Sequence, residues 1–321
     1  MRLKLVPENT NWNFFQHSRI TFYGSICAMV ISLVLLVANG LNFGIDFQGG
    51  SVIRTESTQP VNIGEYRDAV APLGLGEIKI TEVFDPAFAA DQNVTLVRIK
   101  VQDGDEAVSN ETLQLIKNAL SEIDPDMKFP LVESVGPKVS GELIQKAIIA
   151  VITAITIVLV YIWFRFEWQF SLGAVAALVH DIVLTLGIFS LFQIKFDLAI
   201  IAALLTIVGY SLNDTVVVFD RVRENLKKYR KPELIEVINL SINGTLSRTV
   251  MTSVTTLIAL ITLIIFGGDV IRGFVFAMTW GVIVGTYSSV FVASFILLRL
   301  GVKRDWTKTE DVDATRFNTK T

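Results

Sequence analysis

Cysteine is nearly absent: Cys27 is the only one in 321 residues, and it lies inside an apolar run. A disulfide framework and a thiolate metal site are thereby excluded. Histidine is as scarce, and His17 and His180 lie too far apart in sequence to form a cluster, so no metal site is expected. Charge is thin, at 18% Asp, Glu, Lys and Arg, against about a quarter in soluble domains. No Walker motif, dinucleotide fingerprint, HExxH or nucleophile elbow occurs, so neither an enzyme nor a bound cofactor is expected. What the chain has instead is apolar bulk, with 51% hydrophobic residues and a mean hydropathy of +0.53. The formal net charge of -3, from 28 basic and 31 acidic residues, becomes informative only when mapped along the chain.

A membrane span needs about 20 apolar residues. Six windows meet that length: 20–38, 143–163, 170–192, 198–219, 249–266 and 274–298. The first is read as an uncleaved helix. Its run is longer than a signal-peptide core, and "VANG" at its end is a poor small-x-small cleavage site. Orientation follows Lys and Arg near the spans. Segment 220–248 carries Arg221, Arg223, Lys227, Lys228, Arg230, Lys231 and Arg248, the arm 1–19 has Arg2, Lys4 and Arg19, and the tail 299–321 opens with Arg299, Lys303 and Arg304. The opposite connections offer only Lys195 and Arg272. Both termini and the basic segment are therefore expected in the cytoplasm. Adjacent anionic lipid accounts for the basic run without nucleic acid.

Segment 42–140 then lies outside, with 16 acidic residues against 8 basic. Its pattern reads strand 51–56, helix 63–73, strand 78–84, strand 94–101, helix 110–123 and strand 129–135. That order, βαββαβ, is the split βαβ or ferredoxin-like unit. The expected fold is an α-helical membrane protein of six spans, the first at 20–39. An α+β domain at 40–141 lies between spans one and two, and a five-helix region covers 142–298.

Asp181 and Asp214 are the only carboxylates inside the six windows. An ionisable residue in hydrocarbon is costly and tends to mark a pathway. Asp214, beside Asn213, lies six residues before Asp220, about 9 Å inside the end of its span. Arg248, Thr249, Thr252 and Thr256 enter the fifth window at a similar depth, at spacings that suggest a shared face. One reading is an ion relay in which Asp214 alternates between a protonated form and a carboxylate paired with Arg248. Low dielectric penalises the charged form and a nearby guanidinium favours it. Two plainer readings stand beside it: a fixed pair or cap with Arg221, or an interhelical hydrogen bond that only fixes packing. Asp181, near mid-bilayer with His180 next to it, is open between a relay role and a neutral donor to a neighbouring helix. His180 is read as a packed or hydrogen-bonding residue, pointing about 100° away.

The sixth window carries Gly281, Gly285, Ser289 and Ala293 at intervals of four, a ridge for close helix approach within the chain or to another subunit. "YIWFRFEWQF" reads as an interfacial hairpin anchored by Trp163 and Trp168. In "NFGIDFQGG", Gly49 and Gly50 allow a sharp turn, and Asp46 is read as turn or cap chemistry in preference to a cation ligand.

These blocks, FGIDFQGG, YIWFRFEW, ALVHDIVLTLGIFSL, GYSLNDTVVVFDRVREN, RTVMTSVTT and GVIVGTYSSVFVAS, are similar to the SecF family of bacterial protein-translocase subunits, within the SecD/SecF group and the RND superfamily. The resemblance implies a heteromeric inner-membrane complex with SecD, working beside the SecYEG channel and often YidC on unfolded preproteins. It implies coupling to a proton or sodium gradient, with the motor ATPase on another protein. By the family's pattern, its membrane carboxylate falls on Asp214, its RT arginine on Arg248 and its HD pair on His180 and Asp181. Two alternatives are an RND-type efflux subunit, of which only half the usual span inventory is present, and a passive translocon scaffold.

Overall fold

In the computed structural model the described residues are 10–83, 88–89, 92–100 and 109–302. Arg2, Lys4, Lys303, Arg304, the remaining tail and the expected strand ends at Phe84 and Val101 fall outside them. Among the described residues six helices are long and apolar enough to cross a membrane. They are α1 (Ser18–Asn39), α5 (Pro137–Arg165), α6 (Trp168–Phe192), α7 (Leu198–Lys228), α8 (Leu234–Phe266) and a composite sixth span. That last span joins α9 (Asp269–Ser288), a π-helical stretch Ser289–Ala293 and α10 (Ser294–Leu300).

The helices divide into an inner and an outer set. In the most apolar 18-residue stretch of each, half of α6, 44% of α7 and 67% of the sixth span are buried within the chain, against 11% of α1, 6% of α5 and 17% of α8. The outer three therefore present their apolar residues outward, as helices facing lipid do. On the inner three, two apolar clusters sit at opposite ends. One gathers Phe170, Ala174, Phe219, Val222 and Leu297, the other Phe189, Ile200, Ile207, Val275 and Val282. Between them lie His180 and Asp181 of α6, Ser211 and Asp214 of α7, and Ser288 of the sixth span, all buried.

The segment 220–248 is not a loop. Helix α7 runs on to Lys228, α8 starts at Leu234, and only 229–233 separate them. At about 1.5 Å per residue the 33 residues of α8 reach about 50 Å, longer than a ~30 Å hydrocarbon core. The basic run is therefore helical, and the fifth helix begins fifteen positions before the expected window. Glu233 and Glu236 form a capping box at its start, which satisfies two otherwise open backbone donors. The chain before α1 is tied to this extension: Asn243 accepts from Trp12 N (2.9 Å) and donates to Trp12 O (2.8 Å), and Asn239 accepts from Phe14 N (2.9 Å).

Between α1 and α5 lies a four-stranded antiparallel sheet in the order β3-β4-β2-β5. Its strands are β2 (Gly50–Ser57), β3 (Ile78–Val83), β4 (Asn93–Ile99) and β5 (Lys128–Val135), with α3 (Ile63–Val70) and α4 (Asn110–Ser121) inserted between them. The helices cover one face, where Tyr66, Val70, Ile116 and Leu120 meet Ile53, Ile80, Val97 and Ile99. Those strand positions alternate, as a half-buried sheet requires. Pro130 lies in the edge strand β5, where a missing backbone donor is tolerated.

Short joints fix this domain to the bundle. Gly136 alone separates β5 from α5. On the other side β1 (Asn42–Phe43) pairs in parallel with β6 (Lys195–Phe196), the connection between α6 and α7. After the single turn α2 (Ile45–Gln48) come Gly49 at φ 72° and Gly50 at φ 110°. A Cβ on Gly50 would overlap the Ile99 carbonyl oxygen. The glycine pair is thus needed for its backbone conformation, as the sequence suggested. Asp46 accepts a hydrogen bond from Leu198 N at 3.0 Å. It caps α7.

Candidate functional site

The polar belt of the inner helices holds both membrane carboxylates, and their surroundings differ. Asp181 on α6 is 1% exposed and fully engaged. Its Oδ2 accepts from Ser211 Oγ of α7 at 2.6 Å and from Ser288 Oγ of α9 at 2.8 Å. Its Oδ1 lies 3.0 Å from His180 Nδ1. The two side chains meet although adjacent helix positions start about 100° apart. His180 also stacks on Tyr287, with ring centroids 6.2 Å apart. The Tyr287 hydroxyl donates to Thr21 O of α1 and lies 3.0 Å from Ser25 Oγ. One polar knot thus joins α1, α6, α7 and α9.

Asp214 is 3% exposed, one turn beyond Ser211 on α7. Its Oδ2 is buried and has no hydrogen-bond partner among the described residues. Arg221 pairs with Glu224 at 2.7 Å, so the fixed pair or cap between Arg221 and Asp214 is not what this arrangement contains. No ion pair or hydrogen bond joins Arg248 to Asp214 among the described residues. Arg248 is exposed and lines a cleft of about 440 Å³ together with Tyr161, Val217, Asp220 and Gly244. Neighbouring Asn213 is exposed as well.

The expected shared face on the fifth helix divides. Thr249 is buried and its Oγ1 unpartnered, while Arg248 points outward and Thr252 and Thr256 are half-buried. Consecutive helix positions differ by about 100°, so Arg248 and Thr249 cannot share one face. Thr252 and Thr256 turn their hydroxyls back to the carbonyls of Thr249 and Thr252, a common way for helical threonines to satisfy themselves. Tyr210 reaches Thr256 Oγ1 at 3.5 Å.

The ridge of small residues packs inside the chain. A Cβ on Gly281 would overlap the Ile207 side chain, and one on Gly285 would lie 3.0 Å from Ser211 Cβ. Ala293 O lies 3.1 Å from where Gly173 of α6 would carry a Cβ. Its partners are therefore α7 and α6. Ser289 and Ala293 bound the π-helical stretch, and Ser294 Oγ donates to Ser289 O across it. The YIWFRFEW turn is tied to α7 as well: Arg223 donates to Arg165 O at 3.1 Å, and Arg165 and Asp220 are 3.7 Å apart. Sequence reading passed over Ser211, Ser288 and Tyr287. The serine one turn before Asp214 and the Ser288–Ser289 doublet inside an apolar span were the available signals.

Six apolar helices, a small α+β domain docked on the start of α7 and two buried carboxylates within the spans define a multi-pass membrane protein. The family described as "Protein export membrane protein SecD/SecF, C-terminal" matches residues 115–303, and the SecD/SecF GG motif matches 34–61. The protein translocase subunit SecF of Cereibacter sphaeroides is 59% identical over 98% of each chain. The SecF subunits of Rhodobacter capsulatus and Rickettsia bellii are 55% and 40% identical, over 97% and 92% of this chain. The crystal structure of SecDF from Thermus thermophilus, described as a translocon-associated membrane protein, aligns with a TM-score of 0.80 at 34% identity. The alignment covers 94% of this chain and 40% of that one. A SecDF structure in a super-membrane-facing form aligns with a TM-score of 0.68 at 35% identity, over 93% of this chain and 40% of that one. The chain belongs to the SecF family of protein translocase subunits.

Proposed function

We propose that this chain is an accessory subunit of the Sec translocase that turns an ion gradient into movement of its sheet domain. In this reading both termini lie in the cytoplasm and the ferredoxin-like domain in the periplasm. SecD completes the membrane body, and SecYEG and YidC are neighbours. The client is an unfolded preprotein late in export. The chain catalyses no reaction and needs no cofactor beyond the coupling ion, a proton or sodium. Asp214 binds and releases that ion, and Arg248 is its counter-charge.

The observation that carries this reading is the buried, unpartnered Oδ2 of Asp214 within an apolar helix. A carboxyl that were only packing would have its oxygens taken, since an unmet buried acceptor costs about 1–3 kcal/mol. Arg248 stands at the wall of the nearby cleft with no ion pair among the described residues, and in this reading a shift of α8 against α7 brings it in. That shift is the mechanical step. Helix α7 also bears the cap from Asp46 at its other end, and the same helix thereby links the ion site to the base of the sheet domain.

The test is late-stage export into inverted membrane vesicles carrying the whole complex, with and without an imposed gradient. Asp214→Asn assembles with its partner but loses the gradient-dependent acceleration. An unchanged gradient response would leave only a scaffold, and drug sensitivity with normal export would point to efflux.

A further inference from the structure

Asp181 shares the belt with Asp214, but its chemistry is already committed. Both of its oxygens are occupied, one by His180 and the other by Ser211 and Ser288. All four residues are at most 1% exposed. Exchange of an ion at Asp181 would break these three contacts among buried groups. Asp214, one turn away, has the free oxygen.

The hydroxyls are also placed to fix a helix. Ser211 packs directly against α9, its Cβ 3.0 Å from where Gly285 would carry a Cβ. Ser288 is the last residue of α9 before the π-helical stretch, where helical register is easily altered. Asp181 therefore ties the α7 turn that precedes Asp214 to the end of the regular part of α9. Through His180 and Tyr287 the tie extends to α1.

We infer that Asp181 is a positioning residue: acting through Ser211 and Ser288, it sets the depth and rotation of the turn that carries Asp214, and it does not itself exchange the coupling ion. This rests on the relay reading of Asp214, and it gives a role to Asp181, which the sequence alone leaves open between relay and neutral donor.

The experiment uses vesicles containing the full chain with its partner subunit and two measurements. The first is gradient-accelerated export in Asp181→Asn, Asp181→Leu and Ser211→Ala. The second is the rate at which a hydrophobic carbodiimide modifies Asp214, read by mass spectrometry, which reports its surroundings whether or not it relays ions. Asparagine keeps an oxygen for the two serines, so Asp181→Asn retains at least half of the acceleration and labels Asp214 at the parental rate. Asp181→Leu and Ser211→Ala change that labelling rate at least threefold and lower the acceleration. Ser211→Ala keeps the packing volume, so its effect reads the hydrogen bond. Loss of all acceleration in an assembled Asp181→Asn complex would make Asp181 an exchanger and overturn the inference. So would parental Asp214 labelling in both Asp181→Leu and Ser211→Ala. Failure of the relay reading shows separately, as an undiminished gradient response in Asp214→Asn.

Discussion

Asp46 accepts a hydrogen bond from the backbone N–H of Leu198 at 3.0 Å, and so the segment that enters the sheet domain also caps the first turn of α7. The parallel pairing of 42–43 with 195–196 lies beside it. A carboxylate there satisfies an open donor and faces the positive end of the helix dipole. Asp46→Ala is expected to cost about 1 kcal/mol, read as a lower midpoint in thermal unfolding of the detergent-purified chain. Asp46→Asn, which can still accept, is expected to lose less.

Gly50 is held at φ 110°, with the Ile99 carbonyl in the space of a Cβ. Gly50→Ala is expected to destabilise by about 1–3 kcal/mol or more, because strain and overlap act together. Gly24→Ala is the control, since nothing lies within 4 Å of its added carbon. Equal melting curves for the two variants would refute the close-approach account.

Packing along the inner helices gives a third expectation. Gly281→Ala forces its methyl into Ile207 on α7 and is expected to cost about 1–3 kcal/mol by overpacking. Ile207→Ala in the same chain makes room, so the double variant should lose less than the sum of the two single changes. Additive losses in chemical unfolding would place the glycine elsewhere.

Acid response is expected to centre on the sheet domain. Asp124 accepts from Ser57 Oγ at 2.6 Å and from the backbone N–H groups of Thr58 and Asp126. The Ser57 bond, more than the backbone bonds, holds its carboxyl below the ordinary range despite burial. A group with a lowered native value stabilises the fold fully above its unfolded value, about 3.9. That contribution is lost as pH falls through the lower native value. Ser57→Ala should therefore weaken the domain at neutral pH and flatten its loss of stability below about pH 4, measured by amide exchange of β2 and β5 in the full chain.

The serine hydrogen bonds show where the sequence stopped being legible. Six spans were readable because each needs a continuous apolar run, a property of neighbours in the chain. The strands 50–57, 78–83, 93–99 and 128–135 lie close to the segments expected at 51–56, 78–84, 94–101 and 129–135, because alternation is also local. Helix limits read less well. The fifth helix starts at Leu234, before the apolar window, since a helix that leaves the membrane can continue on polar residues.

Hydrocarbon's intolerance of charge was enough, from residues alone, to single out Asp181 and Asp214 and to number the spans. Which carboxylate is bound on every side and which keeps a free oxygen depended on Ser211 and Ser288 arriving from helices 30 and 107 positions away. Only folding brings those hydroxyls to one point, and helix rotation decides that Thr249 faces inward while Arg248 faces out. Local composition fixes what each helix can lie in; three-dimensional contact fixes what each acid can do.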